Sequence, residues 1–327
     1  MSETEHASYF ETVLRDANDL YSKGGETEKG AWKKFYMASW PQILFWQDWL
    51  AHHYTENDEA ARLCSSYPFV GELLVYLRLP PRDRIKWGEV AVAAAHRIKD
   101  QHAEAAHLHK LAMAYLDIGE FRLAIPYLKR GVVINRKIKR PAYEASDLGG
   151  LGLAYAGMED HRRAVIFYNK ALTIFRATGN ADARWGEGIY LSNLAESWRA
   201  LGNPRKAVAL HQEALKINRE VEDVNSEGYA LSNLGKAYAY LGEHEIAQTC
   251  FNQSLAIARK FKVRQSEGYA LFESSRSLWM MGRREEAIDT AKDALSIFES
   301  LEDFYAIRTR KQLNEWQKKI RSNRPPR

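Results

Sequence analysis

The sequence predicts an all-α protein built from a tandem array of paired helices. Three observations support this prediction: a repeat of about forty residues, helical spacing of apolar residues within each repeat, and the lack of strand patterns. Four residue columns share one set of intervals, and they are Glu104, Glu144, Glu187, Glu227, Glu267; Leu108, Leu148, Leu191, Leu231, Leu271; Ala124, Ala164, Ala207, Ala247, Ala287; and Ile134, Ile174, Ile217, Ile257, Ile297. Four columns in one register predict five structural units.

The first helix of each unit is best seen in the fourth repeat. Leu231, Leu234, Gly235 and Tyr238 have the spacing of one helical face. A glycine that can adopt the left-handed conformation ends four of these helices, namely Gly119, Gly202, Gly242 and Gly282.

The second helix of each unit has its own apolar face. In the fourth repeat this face is Ala247, Phe251, Ser254, Leu255 and Ala258, at steps of three and four. One position stays small in every unit, as Gly131, Ala171, Ala214, Ser254 and Ala294. Because this position is occupied by a small residue in all five units, we expect neighbouring helices to approach closely there.

Two motifs resemble a known repeat family. "LGKAY" (234–238) followed by Ala247 and Phe251, and "LGLAY" (151–155) followed by Ala164 and Tyr168, resemble the tetratricopeptide repeat (TPR) pattern L-G-x-x-Y then A-x-x-x-F. The resemblance implies a right-handed superhelical solenoid of antiparallel helix pairs. Because the unit is longer than the usual TPR of about 34 residues, it is most similar to the long repeats of kinesin light chains and of the sensor arms of bacterial signalling ATPases.

The repeats define the predicted organisation of the chain. The predicted parts are an N-terminal helical segment (1–55), a degenerate first repeat (56–103), five TPR-like repeats (104–143, 144–186, 187–226, 227–266, 267–300), and a capping helix with a basic tail (301–327). Leu313, Trp316 and Ile320 predict the capping helix. The one longer interval places three extra residues near 178–188, where we expect a longer loop bearing Trp185.

The N-terminal segment predicts two helices separated by a turn at Gly24-Gly25. It resembles the junction that links the nucleotide-binding part of bacterial STAND-type NTPases to their repeat arm. The sequence has no G-x-x-x-x-G-K-[ST] motif, so nucleotide hydrolysis does not carry over. Trp40, Trp46 and Trp49 are interpreted as core anchors, and the alternative is a docking face for a partner.

Composition excludes several classes of protein. The chain of 327 residues is 46% hydrophobic and 27% charged, which is typical of a folded protein. Its two cysteines lie far apart and predict no disulfide framework. The polar N-terminus and the lack of long apolar runs predict a cytoplasmic protein without a membrane span. The net charge of +5 is spread thinly, so we interpret it mainly as solvated surface.

No pattern in the sequence predicts catalysis. His107 and His109 lie two apart on a helix and so point to different faces, which does not suit one metal ion. "GGLG" (149–152) lies inside a repeat helix without a preceding strand, which favours packing over phosphate binding. We therefore expect no catalytic residue, no metal site and no cofactor, and we predict that the chain is not an enzyme.

The candidate site is the face lined by the first helices, which should be the concave side of a solenoid. Asparagine is a poor helix former, so its recurrence at corresponding positions needs a reason. The amide could bond a neighbouring helix, or it could pair with the backbone of an extended peptide. The predicted peptide-binding groove comprises Lys110, Asn193, Glu196, Arg199, Tyr229, Asn233, Lys236, Tyr240, Tyr269, Glu273 and Arg276.

Three hypotheses for the function follow. The first is a protein- or peptide-binding scaffold, an adaptor or sensor arm in bacterial-type signalling. The second is a regulatory subunit of a separately encoded enzyme or NTPase that docks through the N-terminal segment. The third and weakest is nucleic-acid binding through the basic tail, because no repeated basic-aromatic pattern runs along the array. The oligomeric state is not predicted.

Overall fold

The computed structural model describes residues 1–23 and 26–322, and its secondary structure is α-helical. The first half of the chain contains α1 (Glu3–Lys23), α2 (Glu26–His53), α3 (Asp58–Val70), α4 (Glu72–Arg78), α5 (Pro81–Arg97), α6 (Gln101–Asp117), α7 (Phe121–Lys137) and α8 (Pro141–Gly157). The second half contains α9 (His161–Thr178), α10 (Ala181–Ala200), α11 (Pro204–Glu220), α12 (Val224–Tyr240), α13 (His244–Lys260), α14 (Arg264–Met280), α15 (Arg284–Ser300) and α16 (Tyr305–Ser322). The described residues include no strand, so the all-α prediction is confirmed.

The chain divides into two compact units, Met1–Asp160 and His161–Arg327. In the first unit α5 packs on α6, α6 packs on α7, and α7 packs on α8. In the second unit the same holds from α9 to α16. Tandem packing of consecutive helices is what the forty-residue period predicts. The predicted domain boundaries, and the pairing of α8 with α9 inside repeat 144–186, stay predictions.

The N-terminal helices share a core with the degenerate repeat in the first unit. Ala7 and Leu14 of α1 are fully buried in one cluster with residues of α2, α3 and α4. Tyr67 of α3 donates a hydrogen bond to the carbonyl of Ala7 over 2.7 Å. Trp40, Trp46 and Trp49 pack partly buried against this cluster, as expected of core anchors. The predicted Gly24-Gly25 turn lies outside the described residues.

Residues with a left-handed backbone conformation end helices both in the turns within a repeat and in the turns between repeats. Gly119, Gly202, Gly242 and Gly282 have φ between 78° and 82°, which confirms their predicted role. The turns that lead from one repeat to the next also use this conformation, mostly with charged residues: Lys99, Lys139, Glu222, Lys262 and Glu302. The sequence did not predict these positions, because glycine is the residue type that indicates a left-handed conformation, and lysine and glutamate do not.

Small residues allow close packing where the columns predict it. A Cβ atom on Gly235 would lie 2.6 Å from Cε1 of Phe251, so only glycine fits beneath that ring. Ser254 is buried and donates a hydrogen bond over 2.8 Å to the carbonyl of Gly228. First and second helices of the fourth repeat are therefore held in contact at both of these points.

The glutamate column forms ion pairs between successive repeats. In four repeats an arginine near the end of the second helix bonds the glutamate of the following first helix. The pairs are Arg136–Glu144 (2.7 Å), Arg176–Glu187 (2.7 Å), Arg219–Glu227 (2.7 Å) and Arg259–Glu267 (3.0 Å). Each pair joins two helices that also pack on one another. The column therefore has a structural role, which helps to keep adjacent repeats in register.

The three extra residues lengthen a helix and not a loop, so the expected longer loop was wrong. Asn180 caps α10 by accepting a hydrogen bond from the amide of Ala183, and α10 runs for 20 residues where the other first helices have 17. Trp185 lies within α10, where its Nε1 donates to Oδ2 of Asp223 over 2.6 Å. An asparagine cap ahead of alanines favours starting the helix early, and the insertion adds most of a turn.

The predicted capping helix is present as α16. Leu313 and Trp316 are buried against α14 and α15 in a cluster with Leu278. The Trp279 and Trp316 rings stack with centroids 4.7 Å apart. None of the described helices combines the length and the apolar composition that a membrane span needs.

Candidate ligand-binding groove

The first helices of the second unit and the capping helix enclose one cavity, which we call the C-terminal cavity. Its volume is about 750 Å³, and its walls come from α10, α12, α14 and α16, with His244 of α13. Five of the predicted groove residues lie in these walls, namely Arg199, Lys236, Tyr240, Glu273 and Arg276. Three successive repeats therefore present predicted side chains to the same space.

Glu196 lies at the centre of a charged cluster beside this cavity. Its carboxylate accepts hydrogen bonds from Arg199 Nη2 at 3.0 Å and from His211 Nε2 at 3.4 Å. Burial raises the pKa of Glu196, but the bond from His211 and the charges of Lys236 and Arg199 outweigh it, so the pKa lies well below its usual range. Glu196 is therefore ionised across the physiological pH range.

His211 bonds Glu196 from beneath the surface. It is fully buried, and burial lowers its pKa below the ordinary value despite the bond to Glu196. The imidazole is therefore neutral at pH 7 and carries its proton on Nε2, the nitrogen that faces the carboxylate. The arrangement holds Glu196 and Arg199 in place along the groove, and the neighbouring Arg276–Glu273 pair, at 2.9 Å, does the same on α14.

The capping helix supplies side chains that the sequence-based groove did not include. Tyr305, Arg308, Gln312, Trp316 and Lys319 line the C-terminal cavity. A signal for two of them was present, because adding one forty-residue period to Arg276 and Trp279 gives Trp316 and Lys319. The five clear repeats end before these two positions, so the groove predicted from the repeats does not include them.

The remaining predicted groove residues lie elsewhere. Lys110 belongs to the first unit, where its Nζ lies 3.1 Å from Glu72 Oε1 and 4.2 Å from the centre of the Phe69 ring. Tyr229 is 58% exposed and Tyr269 lies against Asp303 and Tyr305, and neither is among the described residues that line the cavity.

The two asparagines differ in burial. Asn193 is half-buried, whereas Asn233 is only 1% exposed. Nδ2 of Asn233 has no hydrogen-bond acceptor among the described residues. A ligand could reach Asn233 only after its side chain changed position, so contact of Asn233 with a peptide stays a prediction.

A family model supports the assignment of the repeats. The model for the tetratricopeptide repeat matches residues 103–177, 187–260 and 229–300, which together cover more than half of the chain. The chain belongs to the tetratricopeptide repeat family. The matched ranges include most of α10 and the whole of α12 and α14, so the three repeats that line the C-terminal cavity are TPRs.

Solved structures show the same fold at low sequence identity. The TPR protein is similar to BtubC (BKLC) from P. vanneervenii, with 17% identity, a TM-score of 0.60, and coverage of 69% of this chain and 94% of that one. It is also similar to a Rap protein complexed with Competence and Sporulation Factor, with 14% identity, a TM-score of 0.57, and coverage of 99% and 100%. Identities this low establish the fold alone.

The resemblance to STAND proteins is confirmed at the level of the fold. A STAND protein with a tetratricopeptide repeat sensor from Pyrococcus horikoshii matches with 17% identity and a TM-score of 0.51. The match covers 98% of this chain and 54% of that protein. The TPR protein is thus similar in fold to about half of a larger STAND protein.

Proposed function

We propose that this TPR protein is a non-catalytic scaffold that binds a partner protein through an extended segment. The segment would lie along α10, α12 and α14. The observation that carries this proposal is the C-terminal cavity, where side chains from three successive repeats line a space of about 750 Å³. An extended chain that crosses stacked repeats meets a new set of side chains at each one.

The residue types around the cavity support a binding role. Tyr240 and Met280 are 66% and 68% exposed at its edge, and the cavity also includes Arg199 and Arg276. Tyrosine and arginine are enriched where interfaces gain most of their binding energy. The ion pairs with Glu196 and Glu273 hold both arginines in defined positions, which lowers the entropy lost when a ligand binds.

The wider role that we propose is an adaptor or sensor arm in bacterial-type signalling. This role follows from the family resemblance of the repeats and of the N-terminal segment, and not from the cavity. The partner would be a protein or peptide, and an effector enzyme or NTPase is one such partner.

A displayed peptide library tests the binding site. Peptides selected on the wild-type chain should lose about tenfold or more in affinity for a variant with Tyr240→Ala and Arg276→Ala, because two anchors of the groove are removed. Binding should be unchanged for a control variant with Lys216→Ala and Lys292→Ala, whose side chains are exposed on second helices. The proposal would be contradicted if the peptides bound the groove variant with unchanged affinity and lost affinity for the control variant.

A second candidate function is docking of a separate enzyme on the N-terminal helices. Two aromatic side chains favour it, since Tyr9 of α1 is 56% exposed and Phe45 of α2 is 60% exposed. Because α1 shares a core with α3, deleting residues 1–55 would unfold the first unit and prove nothing. The suitable variant is Tyr9→Ser with Phe45→Ser: loss of a partner enzyme that the Tyr240 and Arg276 variant still binds would favour this function.

A further inference from the structure

The first unit contains a cavity of its own, which we call the N-terminal cavity. Its volume is about 630 Å³, and its walls come from α1, α3, α4, α5 and α6. Among the described residues it shares no lining residue with the C-terminal cavity. Cavities of about 300 to 1,000 Å³ are typical of sites that take small organic molecules.

The N-terminal cavity lies where the degenerate repeat departs from a regular helix pair. The first helix of a clear repeat is continuous, as in α12, which has 17 residues. In the degenerate repeat α3 has 13 residues and α4 has 7, and the two meet at Gly71. A Cβ atom on Gly71 would lie 2.7 Å from Cδ1 of Leu14, so α1 packs directly against this break. The interruption of the first helix thus places α4 beside α5 and α6 in the cavity wall.

Arg84 of α5 places an unsatisfied donor at this cavity. Its side chain is only 14% exposed, and its guanidinium carbon lies 4.5 Å from the centre of the Tyr76 ring. Nη1 lies 3.5 Å from Oδ2 of Asp117, which is longer than an ordinary hydrogen bond. Nε is buried and has no acceptor among the described residues. Because a buried N–H without an acceptor costs free energy, an oxygen atom of a ligand would be stabilising here.

Aromatic and apolar side chains make up much of the remaining wall. Trp87 lies three residues after Arg84 on α5, so the two are on the same face of that helix. Trp87 is partly buried against the core of the N-terminal helices, which limits its movement. The apolar lining residues are Pro68, Val75, Leu111, Met113 and Ala114. Such walls favour a flat ring, which gains both apolar burial and contacts between rings.

The charges of the described lining residues are balanced. Arg84 lies next to Asp117, and Nζ of Lys110 lies 3.1 Å from Oε1 of Glu72. A second carboxylate at Nε of Arg84 would be repelled by Asp117. A neutral carbonyl oxygen can accept the same hydrogen bond without this repulsion, so the charge balance favours a neutral ligand.

We propose that the N-terminal cavity binds a small neutral aromatic molecule that carries a carbonyl group. The carbonyl oxygen accepts a hydrogen bond from Nε of Arg84, and the ring lies among Tyr76, Trp87 and Leu111. The inference does not depend on the proposed function, because the site lies in the other unit and takes a different class of ligand. The chain would then bind a small molecule through its first unit and a protein segment through its second.

The test is a panel of matched aromatic fragments added to the full chain. Each pair consists of a one- or two-ring aromatic amide and the same ring without the amide, and indole-3-carboxamide with indole is one such pair. Ligand-observed NMR measures binding at about 1 mM, a concentration suited to weak fragments. We expect amides to bind about tenfold or more tightly than their parent rings, because they gain a hydrogen bond from a charged donor. Indole-3-carboxylate should bind no more tightly than the carboxamide.

Three variants locate the binding and its donor. Arg84→Lys keeps the positive charge but removes the Nε–H group, and it should weaken binding of the amides about tenfold while leaving the parent rings unchanged. Arg82→Lys is the matched control at an exposed position of α5 outside the described lining, and it should change binding by less than about twofold. Met113→Trp puts a larger side chain into the cavity wall and should abolish binding of both members of each pair.

Two further measurements keep the test independent of any one variant. Circular dichroism melting checks that each variant folds. In the wild-type chain labelled with ¹⁵N, the amides should shift the Nε–H resonance of Arg84, and the parent rings should not.

The inference would be overturned if no amide bound, if amides and parent rings bound equally, or if binding survived Met113→Trp. Tighter binding of indole-3-carboxylate than of the carboxamide would also overturn it, since the ligand would then be an anion. Failure here is separate from failure of the proposed function. Peptides that need Tyr240 and Arg276 should bind the Arg84→Lys variant with unchanged affinity.

Discussion

Arg176 Nε lies 2.7 Å from Oε1 of Glu187 and joins the end of α9 to the start of α10. Glu187 also accepts a hydrogen bond from Arg184 at 2.6 Å, and its side chain is only 3% exposed. The same pairing of a second-helix arginine with the next glutamate recurs at corresponding positions. Four of the five glutamates in this column, Glu144, Glu187, Glu227 and Glu267, thus form one half of a repeated ion pair.

Replacing Glu187 tests whether these pairs stabilise the array. Glu187→Gln should lower the free energy of unfolding by about 1–3 kcal/mol, because two arginines lose a buried anionic acceptor. Urea unfolding followed by circular dichroism measures the change. Glu213→Gln is the control: it removes an acceptor from the same Arg176 at an exposed position, and it should cost less than about 0.5 kcal/mol. Equal costs would contradict a special role for Glu187.

The contact between Gly235 and Phe251 predicts a size limit in the fourth repeat. Gly235→Ala should lower the free energy of unfolding by about 1–3 kcal/mol, since the new methyl group overlaps the ring. Adding Phe251→Leu should recover part of this loss, because the smaller side chain makes room. A double-mutant cycle measured by urea unfolding detects the coupling. Additive effects of the two substitutions would show that the methyl group does not press on the ring.

His107 predicts a pH dependence of stability in the first unit. Burial, together with the charge of Lys110, lowers the pKa of His107 to about 4. Below pH 6.5 the unfolded imidazole takes up a proton that the folded one does not, so stability falls as the pH drops from about 6.5 to 4. The loss attributable to His107 is about 3 kcal/mol over this range.

Unfolding by urea at pH 7 and at pH 5 checks the sign. His107→Gln should weaken the dependence on pH, whatever it does to stability at pH 7. His102→Gln is the matched control, because His102 is an exposed histidine on the same helix. An unaltered slope in the His107 variant would assign the acid sensitivity to other groups.

Asn218 predicts a substitution that stabilises the protein. It is 1% exposed, and neither of its side-chain amide atoms has a hydrogen-bond partner among the described residues. Asn218→Leu should raise the free energy of unfolding by about 1–2 kcal/mol, because the cost of burying an unpaired amide disappears. Differential scanning calorimetry would record a higher Tm.

The equivalent residue two repeats earlier, Asn135, provides a contrast with Asn218. Asn135 donates from Nδ2 to Oδ2 of buried Asp147 over 2.9 Å, so Asn135→Leu should be destabilising. The corresponding residue of the last repeat is Phe298, which is fully buried. Apolar occupancy of this position is therefore compatible with the repeat. A fall in Tm for Asn218→Leu would indicate that its amide is paired after all.

The repeated part of the fold could be predicted from the sequence because its causes are local. Apolar spacing and the glycines at 119, 202, 242 and 282 indicate where first helices lie and end. Lys262 has a left-handed φ of 57°, and nothing in the identity of a lysine shows this. The early start of α10 at Asn180 was missed for a related reason, since a short insertion is equally compatible with a loop and with a longer helix.

The candidate site was predicted only in part. Arg199, Lys236 and Arg276 were found because they lie on equivalent faces of successive first helices. Arg308 was not predicted because α16 is not followed by a second helix, and its sequence matches few of the positions that define the repeat. Asn233 was selected for its unusual residue type, and its burial depends on neighbouring helices that a single column does not describe.

The bonds between neighbouring repeats of the second unit have a further consequence. Gln248 and Ser274 are 26 residues apart, and Gln265 and Asp303 are 38 residues apart, so both bonds span less than one sequence period. A repeat inserted by gene duplication could therefore form the same kinds of hydrogen bond with the repeat before it and the repeat after it. Such an array can change length by whole units, and α16 would remain packed at its end while the array grew.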